Sequence, residues 1–348
     1  INKIQTALDF PFQRVAVEFA SNSSDASTLK NFFEYDDYYT DSQSSAQNLV
    51  TFLGNHDMGR AAFLIESKKI NPASQLLGRL KIAHSLLYLT RGIPVVYYGD
   101  EVGMTGTGNG NDQRARQDMF PTKVLEWKSE KRVGSVVVGI DDSFRFKSHP
   151  MSNHLSALAE LRRKYPAFAN GQMEIRYAQG SVLAFSKREQ GSNQEFLVAI
   201  NNSPKYHNVT IPTASKSQWT RIFGSGKWKV SNADVSLSIP PLETIVLKAQ
   251  KRITEYAVQI KTLSARQDFL SGFYSIKAPV VTRDLVTTEF FIKIGNSWKS
   301  LGVDLNSPFT YYLNPEEYSG KVTIKAKTTD SKGKVYEFKP ISFSTASP

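Results

Sequence analysis

Two short apolar runs in the first third of the chain each end in a group of polar residues. Leu49-Val-Thr-Phe-Leu53 is apolar on both faces apart from Thr51, and Asn55-His-Asp57 follows it. Gly92-Ile-Pro-Val-Val-Tyr-Tyr-Gly-Asp-Glu101 has the same design and ends in two acids. Runs that are apolar on both faces are typical of parallel strands covered by helices. The pattern therefore predicts two parallel strands with polar groups at their carboxyl ends, where α/β barrels carry catalytic groups.

Helical spacing separates the two runs and returns later in the chain. Apolar residues fall at helical intervals between Ile70 and Thr90, and again between His154 and Arg163. Pro166 is expected to end the second of these helices. The alternation of strand and helix predicts an α/β domain over residues 1–169.

From Gly171 onward the chain consists of short alternating runs separated by Gly, Asn, Ser and Pro, a pattern typical of antiparallel β structure. One β domain is predicted over residues 170–250, with strands at 182–186, 195–200, 207–211, 219–223, 235–239 and 244–247. A second β-sandwich is predicted over residues 251–348, with strands at 256–260, 273–276, 288–294, 310–313, 322–326 and 336–338. The expected fold class is α/β followed by all-β.

These motifs resemble the α-amylase family of glycoside hydrolases, whose seventh barrel strand ends in Asn-His-Asp and whose eighth reads Gly-Ile-Pro-Val before aromatic and acidic residues. Ala7-Leu-Asp-Phe-Pro-Phe12 is similar to the sixth strand, with its helical return at residues 29–39. Asn111-Asp-Gln-Arg-Ala-Arg-Gln-Asp-Met119 is similar to the arginine-rich loop after the eighth. The resemblance implies a partial (β/α)8 TIM barrel, strands six to eight, followed by the amylase β domain. Residues 251–348 loosely resemble bacterial immunoglobulin-like modules, which would bind carbohydrate or act as a spacer.

The resemblance also implies a role for each polar residue at the strand ends. Asp57 would stabilise the transition state, and Arg60 would contact a sugar or orient Asp57. The residues expected to bind substrate are Asn55, His56 and Arg60, and those expected to support the loops are Glu101 and Arg116. The family's nucleophile and general acid end strands four and five, upstream of this sequence. The fragment alone is therefore expected to be inactive.

The expected function is hydrolysis of α-glucosidic bonds in starch-like α-glucans by a retaining mechanism, which needs a nucleophilic carboxylate and a general acid. One alternative within the fold is a relative that acts on α-1,6 branches or on cyclodextrins. Another is a non-catalytic amylase-like binding protein. On pattern alone, Asn55 and Asp57 fit equally well as caps of the following helix.

Composition excludes several other classes of protein. The chain has 348 residues and a formal charge of +11, spread as +2, +4 and +5 over the three predicted domains without a dense basic run. No nucleic-acid motif accompanies this charge, so a solvated surface is the better interpretation. There is no cysteine, which excludes disulfides and cysteine-bound zinc. No apolar run reaches the length of about 18 residues that a membrane span needs.

The expected partners are an α-glucan and the missing N-terminal part of the barrel. No cofactor or metal site is expected in this fragment, whereas calcium remains an option for the complete protein. A secreted or periplasmic bacterial location is expected. Trp298 and the Tyr311-Tyr312 pair are candidates for a starch-binding platform, although aromatic residues in β-sandwiches usually pack in the core.

Overall fold

The computed structural model describes residues 6–69, 72–106, 112–119, 123–140, 146–189, 192–253, 256–269 and 271–345. The α-helices are α1 Phe10–Ala20, α2 Ala26–Glu34, α3 Ala61–Glu66, α4 Leu76–Leu89, α5 Pro150–Lys164 and α6 Ala167–Asn170. Short 3-10 helices cover Tyr35–Tyr39, Ala46–Asn48, Ala73–Gln75, Asp100–Val102, Asp112–Ala115, Leu125–Ser129 and Phe146–Ser148. We refer to residues 6–169 as the barrel segment, 170–250 as the first β region and 251–345 as the second β region; the predicted domain boundaries themselves remain predictions.

The strands of the barrel segment are β1 Val50–Thr51 and β2 Ile93–Pro94. Those of the first β region are β3 Gln172–Gln179, β4 Val182–Arg188, β5 Glu195–Asn201, β6 His207–Pro212, β7 Trp219–Phe223, β8 Lys227–Ser231, β9 Asp234–Ile239 and β10 Glu243–Ala249. Those of the second β region are β11 Gln259–Ile260, β12 Ser264–Gln267, β13 Tyr274–Lys277, β14 Val280–Val281, β15 Thr287–Ile294, β16 Ser297–Asp304, β17 Thr310–Leu313, β18 Gly320–Thr329, β19 Val335–Glu337 and β20 Ile341–Thr345.

The barrel segment contains the parallel neighbours that the sequence predicts. β1 and β2 pair in parallel, with Val50 opposite Ile93, and Leu8 forms a parallel bridge to Val50 on the other side. The predicted strand over residues 7–12 is otherwise wrong, because α1 begins at Phe10. Asp9 caps this helix by accepting a hydrogen bond from the Phe12 amide, and a proline lies in the first turn.

The helices of the barrel segment bury their apolar faces against each other and against the first β region. α4 lies within the predicted helical stretch and packs against α1, α3 and α5. α5 begins earlier than predicted, at Pro150, because His149 caps it by accepting a hydrogen bond from the Met151 amide. Among the described residues, no helix combines the length and apolar character that crossing a membrane requires.

The first β region contains a five-stranded sheet that is covered on both faces. Its strand order is β3-β4-β5-β10-β7, and a three-stranded sheet, β6-β9-β8, lies beside it. Along β4, Leu183 and Phe185 join the apolar core of the barrel helices, whereas Val182 and Ala184 join the core between the two sheets. Because successive residues of a strand point to opposite faces, β4 is buried throughout its length. The barrel segment and the first β region therefore share one core.

The second β region has a separate apolar core. β15 pairs with β16 and β18, and β18 also pairs with β19 and β20. A smaller sheet, β12-β13-β17, packs its apolar face toward the same core, where Phe290, Ile324 and Leu313 are fully buried. In this region the predictions missed β12, β14, β16 and β20. Strand β18 alternates between buried and half-buried positions over most of its length, which is typical of a sandwich with one solvated face.

Candidate active site at the strand ends

The polar tripeptide after β1 forms a tight turn that Asn55 organises. The backbone groups of Asn55 and Gly59 bond to each other at 3.1 Å in both directions. The Asn55 side-chain oxygen accepts hydrogen bonds from the amides of Asp57 (2.9 Å) and Met58 (2.8 Å). This arrangement is an Asx turn, in which a short side chain replaces backbone pairing. Asn55 thus shapes the loop that presents His56 and Asp57.

His56 and Asp57 extend from this turn into solvent and contact each other. The His56 Nε2 lies 3.2 Å from Asp57 Oδ1, and both side chains are more than half exposed. α3 begins after Arg60 with no side-chain cap, so neither Asn55 nor Asp57 serves as a helix cap. The helix-cap interpretation is therefore wrong. An exposed carboxylate with a histidine at a strand end is free to meet a ligand.

Arg116 holds the exposed pair from the opposite loop. Its Nη2 lies 3.4 Å from Asp57 Oδ1, and its Nε donates to the His56 carbonyl at 3.2 Å. In this structure Arg116 makes the contact with Asp57 that the sequence suggested for Arg60, and the roles of both arginines stay predictions. A guanidinium that bonds both a carboxylate and a neighbouring carbonyl fixes the direction of each.

Arg60 is fully buried beneath this surface. Its Nη1 donates to the Tyr98 carbonyl at 2.5 Å, and its Nε and Nη2 each lie 3.4 Å from the Gln117 side-chain oxygen. The rings of Tyr97 and Tyr98 both lie 5.1 Å from its guanidinium carbon. These contacts join the loop after β1 to the loop after β2 and to the segment around Gln117. In this structure Arg60 is a brace between loops and does not contact Asp57.

The loop after β2 is built closely around Arg60. Gly99 has φ +91°, and a Cβ there would lie 2.5 Å from Arg60 Nη1, so only glycine fits. Glu101 Oε2 accepts a hydrogen bond from the Gly99 amide at 2.7 Å. Burial raises the pKa of the Glu101 carboxyl. Glu101 thus holds the backbone at Gly99 through this bond, and its role in supporting the site stays a prediction.

The predictions missed Glu130, which also holds this loop. Its side chain is 1% exposed, and Oε1 accepts hydrogen bonds from the amides of Thr105 (2.7 Å) and Gly106. Burial raises the pKa of Glu130. Glu130 follows Lys128 and Ser129 in a polar segment, and nothing in that sequence distinguishes its acid from a solvated one.

Of the residues considered for a sugar platform, Tyr311 is buried, whereas Tyr312 and Trp298 are half-buried. Tyr311 is 8% exposed and lies 5.9 Å from the Phe290 ring. Tyr312 stacks on Tyr38 with ring centroids 3.6 Å apart. Lys325 Nζ lies 4.6 Å from the Trp298 ring. Within the described residues no cluster of three or more His, Cys, Asp or Glu side chains could hold a metal ion, and calcium in the complete protein stays a prediction.

Parallel strands that end in an exposed carboxylate, a histidine and an arginine define part of an α/β-barrel catalytic domain. Comparison with known families agrees with this class. Residues 2–159 match the family described as "Alpha amylase, catalytic domain", and residues 176–250 match "Alpha amylase, C-terminal all-beta domain". The chain belongs to the α-amylase family, of which it contains a partial catalytic barrel and the following β domain.

Individual relatives agree with the family and differ in their named activities. An α-amylase of Streptomyces lividans is 33% identical over 95% of this chain and 37% of its own length. A cyclomaltodextrinase of Thermoanaerobacter pseudethanolicus is 24% identical over 60% of this chain and 31% of its own length. The crystal structure of AmyP in complex with maltose matches the fold with a TM-score of 0.54 and 18% identity, covering 72% of this chain and 51% of that one. The chain spans only part of the curated relatives it matches, from 18% to 37% of their own length.

Proposed function

We propose that this chain is part of a retaining glycoside hydrolase that cleaves α-glucosidic bonds in starch-like α-glucans, with the nucleophile and general acid outside residues 1–348. The observation that carries the proposal is the exposed Asp57, oriented by His56 and Arg116 at a barrel strand end. The family match and the relatives named α-amylase support the substrate class. The chain contains three of the eight strand positions of such a barrel, so catalysis requires the remaining strands.

Asp57 would act through the electrostatics of the transition state. The reacting sugar ring gains positive, oxocarbenium-like character as the glycosidic bond breaks. A carboxylate that contacts the ring hydroxyls then binds more strongly than in the ground state, which lowers the barrier. His56 would donate a hydrogen bond to the same sugar, whereas Asn55 would act through the turn it organises. Arg60 supports the site from below, and its predicted sugar contact would need exposure that this structure does not show.

The test is Asp57→Asn in the complete protein. We expect kcat on starch to fall by about two to four orders of magnitude with a smaller change in KM, because the contact strengthens mainly in the transition state. The 348-residue chain alone serves as the negative control. Glu160→Gln removes an exposed carboxylate from α5 and should leave kcat unchanged. An unchanged kcat in Asp57→Asn would remove this residue from the site.

The same assay addresses the alternatives. Some relatives are named cyclomaltodextrinase or cyclomaltodextrin glucanotransferase, so product analysis on starch, on an α-1,6-branched glucan and on cyclodextrin distinguishes these activities. Binding without turnover by the complete protein would favour the non-catalytic alternative. A secreted or periplasmic location stays part of the proposal, since a starch polymer is met outside the cell.

A further inference from the structure

Two buried carboxyl groups face each other where the barrel segment meets the second β region. Asp37 lies in the short helix Tyr35–Tyr39 and is 3% exposed, and Asp304 ends β16 and is 2% exposed. Both line a cavity of about 10 Å³, which is room for about one water molecule. Beside them Tyr38 stacks on Tyr312 at 3.6 Å, so this contact joins two regions that are distant in sequence.

The hydrogen bonds around the pair are unequal. Asp304 accepts from the backbone amides of Asn306 (3.0 Å, to Oδ1) and Thr310 (2.9 Å, to Oδ2), which stabilises it as a carboxylate. Asp37 Oδ2 is buried and has no hydrogen-bond partner among the described residues. The Asp37 carboxyl lies within hydrogen-bonding reach of both the Thr310 side chain and Asp304. Burial raises the pKa of both carboxyls. Because its two amide donors favour a charged Asp304, Asp37 is the member of the pair that would carry the proton and donate it to Asp304.

The surrounding charges do not compensate for two negative groups. Arg91 is bonded to Asp36, with Nη2 2.6 Å from Oδ1, and to Asp9. Glu174 on β3 adds a further acid on the Asp304 side and accepts from the Ser307 amide at 3.3 Å. Lys187 is buried and donates to the Gly171 carbonyl at 3.0 Å.

No Lys, Arg or His side chain of the described residues lies within ion-pair distance of either Asp37 or Asp304. The aromatic groups beside the pair are Tyr38 and Tyr312, and burial together with Tyr38 and Asp37 raises the pKa of the Tyr312 phenol. Two ionised carboxylates in contact in such a place would repel each other strongly.

We propose that Asp37 and Asp304 share one proton that fastens the second β region to the barrel segment, and that rising pH loosens this contact. Burial, with Asp304 and Asp36 nearby, raises the pKa of Asp37 far above its usual range. In the separated state Asp37 is solvated and ionises near pH 4. The closed state therefore holds one more proton than the separated state above that pH. Separation should become easier as pH rises, by at most about tenfold in its equilibrium constant per pH unit for one proton.

The chain has no cysteine, so a pair of introduced cysteines can be spin-labelled specifically. Exposed positions suited to this are Arg14 on α1 and Asn296 in the turn between β15 and β16. We would measure the distance between the labels of Arg14→Cys and Asn296→Cys by pulsed electron paramagnetic resonance in increasing urea. The 348-residue chain at low micromolar concentration would be compared at pH 5, 7 and 9. The urea midpoint for separation should fall as pH rises.

Three variants distinguish the shared proton from other causes. Asp37→Asn keeps a donor for Asp304 but cannot ionise, so its midpoint should be much less dependent on pH. Asp268→Asn removes a half-buried carboxylate that accepts a hydrogen bond from the Tyr38 hydroxyl at the same interface, and it should keep the parent's pH dependence. Gly302→Ala would press a Cβ against the Asp41 carbonyl at 2.5 Å, which should lower the midpoint equally at each pH.

Two outcomes would overturn the proposal. The first is a pH dependence in Asp37→Asn equal to that of the parent chain, because the titrating group would then lie elsewhere. The second is a midpoint that rises with added calcium and falls with a chelator in the parent but not in Asp37→Asn, because a cation would then occupy the place of the proton.

Discussion

The barrel segment and the second β region differ in how completely each buries its own apolar surface. In the barrel segment the short sheet has open edges at Leu8 and at β2. Leu8, Ile93 and Val95 are each about half exposed. The second β region encloses its own core, in which Phe290 and Ile324 are fully buried. Between them, the first β region is continuous with the barrel core on one face. The second β region therefore has a core of its own and can fold alone, whereas the barrel segment, which carries the conspicuous sequence motifs, cannot.

Cutting the chain should produce the largest difference between these regions. Residues 1–169 alone should aggregate or swap strands, because open parallel edges and an uncovered sheet seek partners. Residues 251–348 alone should be monomeric and protease-resistant. Residues 170–348 should be intermediate, because separation from the barrel exposes Phe185, Phe196 and Val198 on one sheet face. Size-exclusion chromatography with limited proteolysis measures each outcome.

A monomeric, protease-resistant 1–169 would contradict the partial-barrel architecture. A fully monomeric 170–348 with no binding of an apolar dye would show instead that the shared core contributes little to the stability of the first β region.

Truncating one phenylalanine in each core sharpens the comparison. Phe185 and Phe290 are both 0% exposed, and each change to alanine should cost about 3–5 kcal/mol through lost burial and a cavity. Phe185→Ala should raise hydrogen exchange in both α4 and β4, since they share a core. Phe290→Ala should raise it only in the second β region. Exchange in α4 that rises equally in the two variants would show that all three regions unfold as one unit.

The sequence predicted the elements whose signals are local and missed what depends on contacts between distant segments. The two polar strand ends were predicted because an apolar run followed by Asn55-His-Asp57 is visible without the fold. The burial of Arg60 was not predicted, because it depends on Tyr98 and Gln117, which come close to Arg60 only in the folded chain. Glu130 gave no signal, since its two amide partners lie 24 and 25 residues away. The start of α1 has a local signal, since Asp9 caps the helix and a proline lies in its first turn, but the predicted strand over residues 7–12 did not take it into account.

The smallest expected change in stability comes from removing an exposed ion pair. Lys325 Nζ lies 2.8 Å from Glu337 Oε1 on the solvated face of the second β region, and the Glu337 side chain is 51% exposed. This hydrogen bond lowers the pKa of Glu337, so the stability it adds is present above about pH 4.3 and is lost as pH falls through the folded-state pKa. Water screens such a pair, and Glu337→Gln should cost at most about 1 kcal/mol at pH 7.

Urea unfolding of residues 251–348 at pH 7 and pH 3 measures this effect. Glu316→Gln is the control, because Glu316 is exposed and no ion pair to its side chain is found among the described residues. The difference between parent and Glu337→Gln should shrink as the pH falls from 7 to 3, because protonation of Glu337 removes the charged partner of Lys325. A cost well above 1 kcal/mol at pH 7 would mean that Lys325, which also lies over the Trp298 ring, depends on Glu337 for its position. The side chains on this exposed face would then be more ordered than their contact with water implies. The contribution of this exposed ion pair to stability would also be closer to that of the buried pairs that Arg91 makes with Asp9 and Asp36.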